Sequence, residues 1–318
     1  MKSAHRHPRA FSLVELLVVI AIIGIVIAIL IPALRGARIQ ARKVSTQSTL
    51  RDLSNACNQF TNDHHRNPGH FSPAQMGAGG NIGANGGFTG MQNLLLDISG
   101  GLTKAGAQPG TIFDVGPGGS TTQMVDITKI GAAGAGKGYF TPDKSLLVAD
   151  AGLVGAANNK LMPQVVDAFG NPILAWVADE RPAATFAAES SGTIAKFYWA
   201  SNAGVLQSTA IGRDQRDHNN GGSMLGGGYS AADRVTTMAA LLGNPVFPKA
   251  NLTPQAPERA RGEIVFQSPG ADGFFMGRFD RGTKTSGTPS ASPTMIMYNG
   301  AGVDVLTNFD DITQAAGL

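Results

Sequence analysis

One cysteine, Cys57, stands among 318 residues. No intrachain disulfide can form, and a zinc site built on two or four cysteines is excluded. Charge is scarce too: Asp, Glu, Lys and Arg make up 15% of the chain beside 42% hydrophobic residues, which excludes a largely disordered acidic or basic tail protein. No repeat of fixed period is visible, and no G-x-S-x-G elbow or other catalytic set emerges. The most downstream histidine, His218, sits in a loop-like Arg216-Asp217-His218-Asn219-Asn220-Gly221-Gly222, so an enzyme is not expected. Glycine is what the chain has in excess, 42 of 318 residues or about 13% against a usual value of about 7%. The length suffices for one large domain or two small ones with a sizeable core. The formal charge is +3, but Lys2, Arg6, Arg9, Arg35, Arg38, Arg42, Lys43 and Arg51 crowd one end. The basic pI of 9.1 is therefore a property of that end and not a nucleic-acid surface.

Residues Leu16–Leu34 form an uncharged run, LLVVIAIIGIVIAILIPAL. At ~1.5 Å per residue it makes a helix about 28 Å long, close to the hydrocarbon thickness of a bilayer. Lys2, Arg6 and Arg9 precede it and, by the positive-inside rule, keep the N-terminus cytoplasmic and the bulk of the chain outside. A cleavable secretory signal has a shorter apolar region and small neutral residues after it. Here Arg35 and Arg38 follow at once.

Glu15 stands at the start of the apolar run. An ionised carboxylate there costs several kcal/mol unless paired, which marks it as functional. If residues 1–10 were removed, Phe11 would carry a free α-amino group one helical turn before Glu15. The two charges would share a helix face or pair between neighbouring helices and set their stagger.

Arg9-Ala10-Phe11-Ser12-Leu13-Val14-Glu15-Leu16 resembles the processing signal of type IV prepilins and type II secretion pseudopilins. That resemblance implies cleavage between Ala10 and Phe11 by a prepilin peptidase and N-methylation at Phe11. It also implies that Glu15 serves assembly into a helical filament, and that Gly24 and Pro32 mark a flexible or kinked point of the helix. The family usually has Gly before the cut, where this chain has Ala10.

Beyond the membrane segment, Leu50, Leu53, Cys57 and Phe60 recur at helical spacing, opposite Arg42, Lys43, Gln47, Arg51 and Asp52. This predicts a helix from Phe11 to about Asn62, roughly 78 Å long, whose stripe docks on the chain's own sheet and whose Cys57 is a buried apolar residue. His64, His65 and His70 read as a solvated loop, since adjacent histidines point to different faces. Residues 77–90 and 100–119, rich in glycine, read as irregular loops with few hydrophobic anchors. Gly131–Gly138 matches G-x-x-x-x-G-K but ends in Gly where a phosphate loop needs Ser or Thr, and Pro142 follows where a helix should open.

In the C-terminal half, Asp167-Ala168-Phe169-Gly170-Asn171-Pro172 is a turn signature before the strand candidate Ile173–Ala178. Thr193–Ser201 and Glu263–Gln267 read as further strands, with antiparallel pairing expected. Asp167–Pro172, Ser268-Pro269-Gly270-Ala271-Asp272-Gly273 and Asn308-Phe309-Asp310-Asp311-Ile312 resemble, in order, three segments of the major pseudopilin. In that family the last two form a calcium loop, so the resemblance implies Ca²⁺ on Asp272, Asp310 and Asp311, with Asp280 and Asp304 as weaker additions. The residues between Asp272 and Asp310 are far more numerous than in the family. The excess length, at about 70–160, 205–260 and 276–303, is expected to decorate the outside of a filament.

The fold class expected is α+β, pilin-like: a long N-terminal transmembrane helix packed on a small antiparallel β-sheet domain. The divisions are a basic leader (1–10), a transmembrane and assembly helix (11–34), its amphipathic continuation (35–66), a Gly-rich variable region (67–165) and a C-terminal β domain (166–318). The resemblance implies a pseudopilin of a type II secretion pseudopilus that supports protein export. Its partners would be itself and other pseudopilins, the prepilin peptidase, the inner-membrane secretion platform and membrane lipid, with no nucleic acid. It would be an inner-membrane single-pass protein with a cytoplasmic N-terminus and a periplasmic C-terminal domain. The alternatives are a type IV pilin or minor pilin-like subunit (adhesion, DNA uptake) and a signal-anchored extracytoplasmic binding or enzymatic domain.

Overall fold

The computed structural model describes residues 13–104, 110–118, 121–131, 138–211, 222–249, 256–278, 280, 298, 302 and 304–317. Ala10 and Phe11, the interior of the G-x-x-x-x-G-K stretch and His218 lie outside the described residues. The chain divides into two compact units, 1–44 and 45–318.

Helix α1 (Leu13–His64) provides all that is described of the first unit. Its apolar side chains are exposed from Leu13 through Leu34, and the helix is long and apolar enough to cross a membrane. Helical geometry continues through Gly24 and Pro32, although Pro32 removes one backbone donor from the ladder.

In the second unit, the rest of α1 is followed by α2 (Pro73–Met76), α3 (Gly90–Ile98), β1 (Ile112–Gly118), β2 (Thr121–Asp126), β3 (Leu147–Val148) and α4 (Ala157–Leu161). Then come β4 (Gln164–Val165), β5 (Leu174–Val177), β6 (Thr185–Ala188), β7 (Ala195–Tyr198), α5 (Ala203–Leu206), α6 (Ala231–Leu242), β8 (Ile264–Ser268) and β9 (Ile312–Ala316). The organising sheet is antiparallel with order β5-β8-β9. The fold is α+β, with a long apolar N-terminal helix followed by a small domain with antiparallel sheets.

Strand alternation sends successive side chains to opposite faces of this sheet. Ala175, Ile264, Phe266, Ile312 and Ala316 join a core with Leu50, Leu53, Cys57 and Phe60 of α1 and Met91, Leu94 and Leu95 of α3. Leu174, Trp176 and Val265 join a second core with Val205 and Leu206 of α5 and Met238, Leu241 and Leu242 of α6. The α1 stripe therefore docks on the chain's own sheet, as its spacing predicts. Hydrogen bonds at the C-terminal end of the chain help set its position: Ser54 Oγ donates to the Ala315 carbonyl (3.2 Å) and Gly317 N–H to Asn58 Oδ1 (3.1 Å).

Three expectations need correction. Residues 112–118 are strand β1, paired antiparallel with β2, and not irregular loop; pairing with Thr121–Asp126 satisfies a backbone that periodicity alone could not reveal. The first glycine-rich stretch is well anchored: Asn81 is fully buried and donates to the carbonyls of Met76, Phe88 and Ala200. A Cβ at Gly204 would lie 2.2 Å from the Gly87 carbonyl oxygen, so glycine here permits backbone-to-backbone contact. Strands β6 and β7 pair in parallel, contrary to the antiparallel expectation. Each has only four residues, so the intervening residues 189–194 reach back across the ~13 Å strand length without a helix. The regions in excess of the family's length also supply core: Phe88, Met91, Met238 and Leu241 are all buried.

Candidate functional site

Two constellations carry the candidate chemistry, one in each unit. In the first, Glu15 lies exposed in the first turn of α1, where a carboxylate interacts favourably with the positive end of the helix dipole. Gly24, nine residues on, has open space where a Cβ would stand. A neighbouring helix could approach closely at that point, the property small residues confer in membranes. Pro32 lies at the end of the apolar run.

The second constellation joins the three C-terminal segments singled out in the sequence. The turn 167–172 is closed by Asp167 Oδ1, which accepts from the N–H groups of Phe169 (2.8 Å) and Asn171 (2.9 Å). Its Oδ2 accepts from Ser268 Oγ (2.6 Å), and Asn171 Nδ2 donates to the Gly270 carbonyl (3.2 Å). Burial pushes the Asp167 carboxyl up, only partly offset by the bond from Ser268 and the turn N–H groups. Gly270 has φ 68°, and a Cβ there would lie 2.4 Å from the Asp310 carbonyl oxygen. This is a position only glycine fills without strain.

Across that contact, Asp310 Oδ2 accepts from Ala271 N–H (2.8 Å) and Asp272 N–H (3.2 Å). Its Oδ1 is buried with no hydrogen-bond partner among the described residues. Carboxylate oxygens of Asp272, Asp280 and Asp310 lie within 4.8 Å of one another. Gly277 leaves room for them, since its Cβ would stand 2.7 Å from both Asp272 Oδ2 and Asp280 Oδ2. Burial, then the charges of Asp310 and Asp280, push the Asp272 carboxyl up to about 8.

Asp311 is placed differently from the role the resemblance implies. Its Oδ1 accepts from Gln267 Nε2 (2.6 Å), and Met276 N–H donates to its Oδ2 (3.0 Å). It ties β8 to the loop beside the trio, and burial pushes its carboxyl well up. Asp280, a secondary candidate in the sequence, takes the third position in the trio; only the turn of the chain at Gly277, where Asp280 N–H bonds the Gly277 carbonyl, brings it there. Asp304 is occupied elsewhere, in a bidentate pair with Arg261 (2.6 and 2.7 Å). His64 stacks on Phe60 (4.3 Å between centroids) and meets the Tyr139 hydroxyl (3.2 Å), which donates to Asp63 (2.8 Å).

A cleft of about 690 Å³ lies between residues 66–76 and β5, lined among others by Phe71, Met76, Val177 and Tyr198. Arg181, one of the charged residues lining it, is turned onto Asp179 at 2.7 Å. The Tyr198 hydroxyl donates to the same carboxylate at 3.0 Å.

Residues 5–31 match the family described as the prokaryotic N-terminal methylation motif. The match contains Ala10, Phe11, Glu15 and Gly24, and it is consistent with a type IV prepilin-like family. No curated protein and no solved structure matches the chain. Among the described residues α1 is the one helix long and apolar enough to cross a membrane, and it is compatible with a membrane anchor carrying a soluble C-terminal domain.

Proposed function

We propose that this chain is a pseudopilin: a non-enzymatic subunit that assembles through α1 into a type II secretion pseudopilus and supports protein export. The observation that carries the reading is the methylation motif at residues 5–31, together with a helix from Leu13 whose apolar side chains are exposed through Leu34. Such a surface needs lipid before assembly and neighbouring helices after it. A prepilin peptidase would cut between Ala10 and Phe11 and methylate the new terminus. The Phe11 ammonium and Glu15 would then pair within or between helices; leaving either charge unpaired in a low-dielectric bundle costs roughly 3–5 kcal/mol. The inner-membrane secretion platform and other pseudopilins are the partners this role requires, with the C-terminal domain on the periplasmic side.

The junction of the Asp167 turn with the loops at 268–273 and 308–312 favours the secretion role over a type IV pilin, because these are the segments resembling the major pseudopilin. Ca²⁺ fits this junction. Calcium takes oxygen ligands at ~2.3–2.6 Å, a span that oxygens within 4.8 Å of one another satisfy. The unpartnered Asp310 Oδ1 supplies a ready acceptor. Asp272, Asp280 and Asp310 would hold the ion, and Asp311 would hold the surrounding loop. A bound cation would neutralise the mutual repulsion of the three carboxylates.

The test of the reading is the N-terminal mass of the protein purified from membranes. An N-methylated Phe11 is expected. An intact Met1 would overturn it and leave a signal-anchored extracytoplasmic module.

A further inference from the structure

We propose that α1 belongs to the frame of the acidic junction: Thr46, Ser54 and Asn58 are positioning residues for the two ligand-bearing segments, so that cation occupancy and the docking of α1 are linked. The inference rests on the reading of Asp272, Asp280 and Asp310 as a cation site and adds α1 to it.

Both segments that carry the carboxylates lead by hydrogen bonds to α1. On the Asp272 side, Gly270 N–H donates to Ser268 Oγ (3.2 Å), which itself donates to Asp167 Oδ2 (2.6 Å). The Gly270 carbonyl accepts from Asn171 Nδ2 (3.2 Å). The turn so held, 167–172, then reaches the helix, because Ala168 N–H donates to Thr46 Oγ1 (3.2 Å). Thr46 is fully buried and is the first buried residue along α1. On the Asp310 side the chain runs directly into β9, whose Ala315 carbonyl accepts from Ser54 Oγ (3.2 Å). Just past β9, Gly317 N–H donates to Asn58 Oδ1 (3.1 Å). Thr46, Ser54 and Asn58 are separated by eight and four residues, which keeps them on one side of the helix, and they span about 18 Å of its axis.

The junction therefore sits where the organising sheet and the helix meet. Strand β5 starts just after the turn, β8 ends at Ser268 and β9 starts two residues after Asp310. Carboxylate oxygens of Asp272, Asp280 and Asp310 lie within 4.8 Å of one another, and without a cation their like charges push the two segments apart. A divalent cation on oxygens from both segments clamps them together and holds both arms in the positions that meet α1. Linkage is reciprocal: if the ion favours the docked helix, the docked helix favours the ion by the same factor. Thr46 touches none of the three carboxylates in this arrangement; it acts through the turn.

The test uses the full-length protein in detergent micelles, titrated with CaCl₂ by calorimetry, with hydrogen exchange of its amides followed by mass spectrometry. Couplings of this kind run from about 5-fold to 150-fold. Saturating Ca²⁺ should slow exchange over 45–64 by about fivefold or more beyond its effect on the β1–β2 hairpin, whose Gly116 is held by Asn159 of α4. Thr46→Val, which keeps the shape and removes the acceptor for Ala168 N–H, should weaken Ca²⁺ binding about fivefold or more, and Thr46→Ser should restore it. Equal slowing in α1 and the hairpin means general stabilisation and overturns the proposal. Native Ca²⁺ affinity in Thr46→Val also overturns it, while leaving the cation site in place. If Thr46→Val fails to fold, the exchange comparison in the native chain decides alone. A native chain that takes up no Ca²⁺ overturns the cation site, and this inference with it.

Discussion

Ser268 Oγ donates a 2.6 Å hydrogen bond to Asp167 Oδ2, joining two buried residues 101 positions apart in the chain. The bond ties the turn before β5 to the end of β8, and through Gly270 and Asp310 to the start of β9. Three separate segments thereby become one junction. Ser268→Ala leaves Asp167 Oδ2 without this donor, and an unmet buried acceptor costs about 1–3 kcal/mol. Urea unfolding of the detergent-solubilised protein should show a lower midpoint by that amount, with an unchanged slope. A midpoint equal to the native chain's would mean that the bond does not hold the junction.

Calcium should raise the thermal midpoint of the native protein. An ion at 100-fold its Kd stabilises by about 2.7 kcal/mol if it binds only the folded state. Asp272→Asn and Asp280→Asn should each abolish the response. Asp311→Asn should instead lower the midpoint already without calcium, because Asp311 bonds Gln267 and Met276. The absence of any calcium response in the native chain would remove the ion from the junction.

Burial pushes the Asp304 carboxyl up, but the Arg261 bonds and the Leu306 N–H outweigh it, and it lies below its ordinary value of 3.8. The unfolded chain therefore takes up the proton first as pH falls. The pair's stabilisation is full above 3.8 and is lost as pH drops towards the lower folded value. Arg261→Met should be less stable than the native chain at neutral pH, and the gap should narrow on acidification. A gap independent of pH would show that lost packing, and not the ion pair, accounts for the difference.

Glu15→Ala should abolish filament assembly while membrane insertion persists, because the apolar run 16–34 is intact. Electron microscopy of sheared filaments and carbonate extraction check the two halves. Filaments at normal yield from the variant would sink the assembly role.

Cys57 should resist maleimide labelling in the folded protein and react on unfolding. It is fully buried on the docked face of α1 and burial pushes its thiol far up, so little thiolate exists. Leu53→Ala, on the same face, should cost about 2–5 kcal/mol and bring labelling forward to a lower denaturant concentration.

What the linear order of residues determined by itself are the features set by local rules. An uncharged run of bilayer length with a carboxylate at its start specifies a membrane-competent helix, because hydrocarbon thickness and charge cost do not depend on the rest of the fold. The 3,4,3 spacing of Leu50, Leu53, Cys57 and Phe60 likewise determined which face of α1 is buried. Tertiary structure alone decided what distant segments do to one another. Strand β1 lies in a glycine-rich stretch without period-2 hydrophobicity and exists because β2 satisfies its backbone. The parallel pairing of β6 and β7 follows from a connection just long enough to return. At the acidic junction, Asp280 joins Asp272 and Asp310 while the adjacent Asp311 is drawn to Gln267 and Met276. Neighbours in sequence were parted because a carboxylate's role depends on which donors and charges the folded chain brings within a few ångströms.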